Sequence, residues 1–156
     1  YFTKKDLAQD RYDPVKASCS IPFVCRPYVI QGVPYYDGAL GDPIPIEKAF
    51  SMGCDKVVLL LTKPQDLRRT PEKDCFLAKR IQRKYPKAAA QLERRASHYN
   101  SGVDLALQYQ KQGKLLIVAP DDTCGVDTLT RDREALKRLY QKGYQDGEKI
   151  AGFLRQ

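Results

Sequence analysis

The sequence predicts an α/β domain, and three features carry that expectation. Val57-Val-Leu-Leu-Leu61 is an unbroken apolar run of strand length, flanked by Lys56 and by Thr62-Lys63, which suits a strand covered on both faces rather than a membrane span. Lys114-Leu-Leu-Ile-Val-Ala119 is a second run of the same kind. Helix-forming stretches lie between the two runs and after them. A chain of 156 residues that is 42% hydrophobic is long enough for one compact domain, burying roughly two thirds of its extended surface on folding.

Taken in order, Tyr1–Tyr12 is polar, and Asp13-Pro14 interrupts it. Val15–Ser18 fits one helical turn, which Pro22 stops by keeping Ile21 out of the helical region. Phe23–Pro27 is irregular. Tyr28–Gln31, then Gly32–Pro34, then Tyr35-Tyr36 reads as strand, tight turn, strand. Asp37–Asp42 leaves that strand as a loop, kept extended by Pro43 and Pro45, and Ile46–Met52 forms a short helix ended by Gly53. After the strand at residues 57–61, a basic linker leads to helices over Pro71–Tyr85 and Pro86–Gln110, the latter weakened at Ser101-Gly102. Gly113 precedes the strand at 114–119, Asp127–Thr130 is turn-like, and Asp132–Leu154 is a final helix with Leu136, Leu139, Tyr140 and Tyr144 on one side. Gly143, Gly147 and Gly152 each weaken that helix by up to about 1 kcal/mol.

Charge and cysteine usage narrow the function classes. The formal charge is +8, and Lys63–Arg95 holds eleven Lys or Arg against four acids. Such a surface attracts phosphate groups of nucleic acid or of an anionic bilayer. No zinc-finger spacing or RNP signature accompanies it, so no nucleic-acid partner is expected. The five cysteines (19, 25, 54, 75 and 124) form an odd set without CxxC, and His98 is the single histidine. This argues against structural zinc and a disulfide framework, and for reduced, mostly buried thiols in a cytoplasmic protein, peripheral at most to the inner face of a membrane. The chain opens on Tyr1 rather than Met and reads as a piece of a longer protein.

Asp37 is the candidate catalytic residue. A strand ending in Tyr36-Asp37-Gly38 sets a carboxylate at a sheet rim, where loops converge, and Gly38 permits close backbone approach. A carboxylate is a weak base toward an alcohol, so it must lie within about 2.6 to 3.2 Å of the hydroxyl it activates, in a partly dry site. The plainer role for Asp37 is an Asx-turn or a helix cap. For His98 the plainer role is a polar edge in a helix, and for the cysteines it is packing.

Ala17-Ser18-Cys19-Ser20-Ile21-Pro22, followed by Pro27, Gly32, Tyr35 and Asp37-Gly38-Ala39, resembles the second conserved block of the patatin-like phospholipases. Tyr35 serves the tyrosine spacing after Gly32, and Tyr36 takes the variable position before Asp37. Asp42-Pro-Ile-Pro-Ile-Glu-Lys-Ala49, Met52–Val58, Lys84-Tyr-Pro86, Tyr99-Asn100 and Leu139–Tyr144 are similar to the family's bacterial subgroup. The resemblance implies an incomplete three-layer α/β/α domain. Residues 1–64 would form the C-terminal part of the catalytic domain, and 65–156 a mainly helical region with its short strand near 114–119.

The same resemblance implies serine–aspartate hydrolysis of phospholipid or another acyl ester through an acyl-enzyme, with no metal or organic cofactor. Asp37 would be the catalytic aspartate, with Gly38, Ala39, Ser18 and Ser20 supporting the site, the two serines flanking a helix start at the active-site wall. The sequence contains no G-x-S-x-G; the nearest spacing, Gly143-Tyr-Gln-Asp-Gly147, has glutamine at its centre. The serine elbow and the glycine-rich oxyanion loop precede this block in the family, so the N-terminal half of the domain is expected outside this chain. The chain alone would then be inactive, with exposed apolar surfaces through which it associates. Two readings of other classes remain beside it: a noncatalytic scaffold of the same fold, and a basic module binding nucleic acid or anionic lipid.

Overall fold

The computed structural model describes residues 1–7 and 10–155. Ala8 and Gln9, within the polar opening segment, lie outside the described residues, as does Gln156. The fold is mixed α/β, with several helices and two small open sheets among the described residues. It divides into two compact units, neither a continuous stretch of chain: Tyr1–Ile44 with Arg69–Tyr99, and Pro45–Arg68 with Asn100–Gln156.

In the first unit, α1 (Asp13–Ser18) begins with Pro14 in its first turn, where a missing N–H costs nothing. The helix therefore runs ahead of the expected single turn. The Tyr28 hydroxyl donates to Asp13 Oδ1 at 2.7 Å. That bond, helped by the charges of Lys16 and Arg11, holds the Asp13 carboxyl below the usual carboxylate range. Strands β1 (Tyr28–Ile30) and β2 (Val33–Tyr35) pair antiparallel, with Tyr28 opposite Tyr35 and Ile30 opposite Val33. The turn thus consists of Gln31 and Gly32, both left-handed at φ 50° and 79°, as a two-residue hairpin requires. Pro34 lies in a strand rather than in the turn, and this short two-stranded sheet tolerates its missing donor.

The remainder of this unit is helical. A 3₁₀ turn covers Gly38–Leu40, α3 spans Glu72–Ile81, and α4 (Pro86–Lys111) belongs to this unit up to Tyr99 and to the second unit from Asn100. The expected helix from Pro71 stops at Ile81 rather than Tyr85, because Pro86 keeps Tyr85 out of the helical region; the Ile81 carbonyl accepts from Lys84 and Tyr85 instead. No break occurs at Ser101-Gly102. Leu40, Ala78, Ala89 and Leu92 form a buried cluster against which Tyr36, Leu77 and Ile81 pack. Asp74, from the first turn of α3, is buried and gripped by Arg95 of α4 through two bonds of 2.9 and 2.6 Å. One acid and one cation of the basic stretch are therefore structural.

The second unit is built on a parallel pair. β3 (Val57–Leu60) lies beside β4 (Leu115–Val118), with Val57 opposite Leu115 and Leu60 opposite Val118. The Ile117 N–H is taken by Gln110 Oε1 at 2.9 Å. β4 is largely buried, but β3 is only half-buried and Leu60 is exposed. This corrects the expectation of a strand covered on both faces: an unbroken apolar run permits such cover but does not supply the neighbours. α2 (Ile46–Ser51) buries Ile46 and ends before Gly53, whose φ is 88°. Phe50 stacks on Tyr109 of α4 with ring centroids 4.4 Å apart.

The expected helix over Asp132–Leu154 is two, α5 (Arg133–Gly147) and α6 (Lys149–Arg155). Asp132 caps α5, its Oδ1 accepting from Glu134 N and Ala135 N at 2.9 and 3.2 Å. The thiols also depart from expectation: Cys19, Cys25 and Cys54 are exposed, and Cys75 and Cys124 half-buried. Cys19 and Cys25 sit in the turns after α1 and Cys54 just past the turn that ends α2, where no second layer covers them. Among the described residues, no helix is long and apolar enough to cross a membrane.

Candidate active site

The residues singled out from the sequence meet at one place in the first unit. Asp37 follows β2 and caps the 3₁₀ turn: its Oδ1 accepts from Ala39 N at 2.8 Å. Its own N–H donates to the Ser20 carbonyl at 2.9 Å, tying the end of the hairpin to the segment just past α1. Ser20 is buried, and its Oγ donates to the Lys16 carbonyl at 3.0 Å. Leu40 N bonds back to the Asp37 carbonyl at 3.1 Å, and Asp42 N to the Gly38 carbonyl at 3.0 Å. The loop is thus fixed on both sides of the carboxylate.

Ser18 stands against Gly38. A Cβ on Gly38 would fall 2.9 Å from Ser18 Oγ, so glycine is what this approach admits. The serines do not flank a helix start, as expected; Ser18 is the last residue of α1 and Ser20 lies beyond it. The cause is that α1 ends at Ser18 and a turn follows it, so both serines belong to a helix exit. Ser20 holds a freed carbonyl of that helix end, and Ser18 forms the wall facing Gly38.

Half-buried Asp37 opens onto a groove of about 1440 Å³ belonging to this unit. Val15, Val33, Tyr35, Leu40 and Tyr85 give it apolar walls, and Lys84 and Lys87 add cations. Tyr36 and Tyr85 meet edge to face, 5.6 Å between centroids at 89°. Burial, with the neighbouring Tyr85, pushes the Tyr36 phenol up from its ordinary value, opposed by Lys84. Tyr85 stands out in the sequence only within Lys84-Tyr-Pro86, not as a neighbour of Asp37. It lies 48 positions after Asp37, and no local pattern announces that their neighbourhoods meet.

Chemically, the arrangement presents a carboxylate with one oxygen fixed in its own turn and one that accepts no hydrogen bond from any described residue. Such an oxygen can receive a proton from a hydroxyl brought to it. No described serine, threonine or cysteine is hydrogen-bonded to it. His98 is exposed on α4. No group of three or more His, Cys, Asp and Glu among the described residues is placed to hold a metal ion.

A family model described as a domain of unknown function, DUF6363, matches residues 85–152. Its range begins at Tyr85 and does not reach Asp37. The uncharacterized protein YjjU of Escherichia coli (strain K12) is 34% identical over 65 residues, covering 41% of this chain and 18% of that protein. The chain therefore matches less than a fifth of the length of this curated relative. No solved structure matches.

Proposed function

We propose that this chain supplies the general base of an acyl-ester hydrolase whose nucleophilic serine lies outside the 156 residues. The observation that carries the reading is the state of Asp37: backbone tied to Ser20, Oδ1 tied to Ala39, Oδ2 unengaged at the edge of an apolar groove. Supporting it are the close Ser18–Gly38 contact and the order of residues from Ala17 to Ala39, similar to the patatin-like phospholipases. The open sheets and half-buried β3 are consistent with a three-layer α/β/α domain completed by chain not included here.

In this reading Asp37 Oδ2 accepts the serine proton as the serine oxygen attacks the ester carbonyl. The proton passes to the leaving alcohol, giving an acyl-enzyme. Asp37 then takes a proton from water as the water oxygen attacks the acyl carbon, and passes it to the departing serine oxygen, which releases the fatty acid and restores both the hydroxyl and the carboxylate. Lys84 and Lys87, on the groove wall, favour a substrate that carries an anionic group near its ester.

A second reading, a noncatalytic scaffold of the same fold, is favoured by the Asp37–Ala39 bond, which accounts for the carboxylate as the cap of its own turn. Fluorophosphonate labelling separates the two, applied to the intact parent, its Asp37→Asn form and this chain. A label on one serine of the parent, with ester turnover falling roughly 10²- to 10⁴-fold in Asp37→Asn, is expected. This chain should take no label. Equal turnover in the two parent forms, or no labelled serine in the parent, would overturn the hydrolase reading.

A further inference from the structure

α5 turns its most exposed side chains away from the unit it belongs to, and their chemistry is mixed. Ala135, Leu139, Lys142 and Asp146, spaced by three and four, are its buried or half-buried side. On the opposite side stand Arg133, Leu136, Lys137, Tyr140 and Tyr144. Leu136 is 42% exposed, and Tyr140 and Tyr144 are each 72% exposed. A phenol ring left in water at two successive turns is an unusual way to end a helix face.

The cations divide in the same way. Lys142, on the covered side, is paired with Asp121 and Asp122. Arg133 and Lys137, on the open side, have no carboxylate partner among the described residues, and the acid that continues their stripe, Glu148, stands about three turns beyond Lys137 at the helix end. From Arg133 to Tyr144 the stripe is roughly 16 Å long.

We propose that this face of α5 docks on the surface of an anionic phospholipid bilayer. Tyrosine rings suit the headgroup level, where the ring leaves water while the hydroxyl stays hydrated, and Arg133 and Lys137 lie beside them to meet lipid phosphates. A parallel two-fold contact with a second copy of the chain would bring cations toward cations; an antiparallel one would set Lys137 against Tyr140, and would show as a dimer that depends on the tyrosines. In the basic stretch over Lys63–Arg95, Arg95 is consumed by buried Asp74 and Arg68 pairs with Asp104 at 2.8 Å, and its exposed Lys79 and Arg83 serve as the control for charge alone. The inference is independent of the hydrolase reading.

The test is co-sedimentation of the 156-residue chain with vesicles of phosphatidylcholine alone and of an equimolar mixture with phosphatidylserine. Binding is expected to the mixed vesicles and not to the neutral ones. Arg133→Gln with Lys137→Gln should weaken it roughly thirtyfold, from about a fivefold contribution of each cation at an anionic surface. Tyr140→Ser with Tyr144→Ser should weaken it roughly tenfold or more. Lys79→Gln with Arg83→Gln removes the same charge from exposed sites elsewhere and should cost less than about threefold. All six positions are exposed, so the thermal melts should match and show that folding is retained. No binding to mixed vesicles overturns the proposal. So does an equal loss in the Lys79/Arg83 control, unchanged binding in the tyrosine variant, or a concentration-dependent dimer that the tyrosine changes abolish.

Discussion

The two compact units differ in the polar contacts they bury. Both buried polar side chains among the described residues, Ser20 and Asp74, fall in the unit formed by Tyr1–Ile44 and Arg69–Tyr99. Its apolar cluster is small, two leucines and two alanines with partly buried neighbours. Both units bury apolar side chains, among them Leu40, Ile44, Leu92 and Tyr99 in the first and Ile46, Val103, Leu115, Ile117 and Val118 in the second, so what sets the first apart is its two buried polar side chains. Directional bonds fix positions where apolar contact fixes only proximity. The unit that carries Asp37 is the one specified by direction.

The largest expected effect breaks the first unit. Arg95→Ala strands the Asp74 carboxylate, 4% exposed, and should cost about 3–5 kcal/mol in urea denaturation. Replacing both partners by leucine should cost far less, because no buried charge remains; equal losses would show that the pair itself is not what matters. In the second unit, Leu115→Ala removes a side chain 1% exposed and should cost about 2–4 kcal/mol. Leu60→Ala, in the neighbouring strand but 66% exposed, should stay within about 0.5 kcal/mol. Similar values for the two leucines would contradict the one-sided burial of this sheet.

Smaller effects sharpen the view of the candidate site. Gly38→Ala should cost about 1–2 kcal/mol, since its Cβ would press on Ser18 Oγ. In a Ser18→Ala background most of that cost should vanish, a coupling that a double-mutant cycle reads directly. The smallest change expected is a gain: Gln31→Asn places a residue tolerant of left-handed backbone where φ is 50°, and should raise stability by a few tenths of a kcal/mol.

The hairpin was legible because Gly32 and the β-branched and aromatic residues around it leave few alternatives. Its register was not, since a proline inside the run argues for a turn until the two-residue loop is seen. The site was legible as a list, Ser18, Ser20, Asp37, Gly38 and Ala39, because each lies on one short stretch. The roles of the serines depended on which end of a helix lies beside them: Ser18 closes α1 and a turn follows, whereas Pro14 decides only where α1 begins. On α5 the apolar pattern misled. Of Leu136, Leu139, Tyr140 and Tyr144, which share a helical pattern that normally marks a core face, only Leu139 turns inward, beside Ala135 and Lys142. Periodicity finds the stripe, and only tertiary contact says which way it turns.

The cluster of Leu40, Ala78, Ala89 and Leu92 also governs how the chain can be dissected. Two of its members come from before residue 79 and two from the opening turns of α4. A recombinant piece that starts at Tyr85 would carry Ala89 and Leu92 into solvent without the neighbours that bury them. Its helix would open on a bare apolar stripe, prone to aggregate whatever the merit of the remainder. Useful truncations keep this cluster together, so a piece retaining the opening turns of α4 needs α3 and the 3₁₀ turn that carries Leu40 with it.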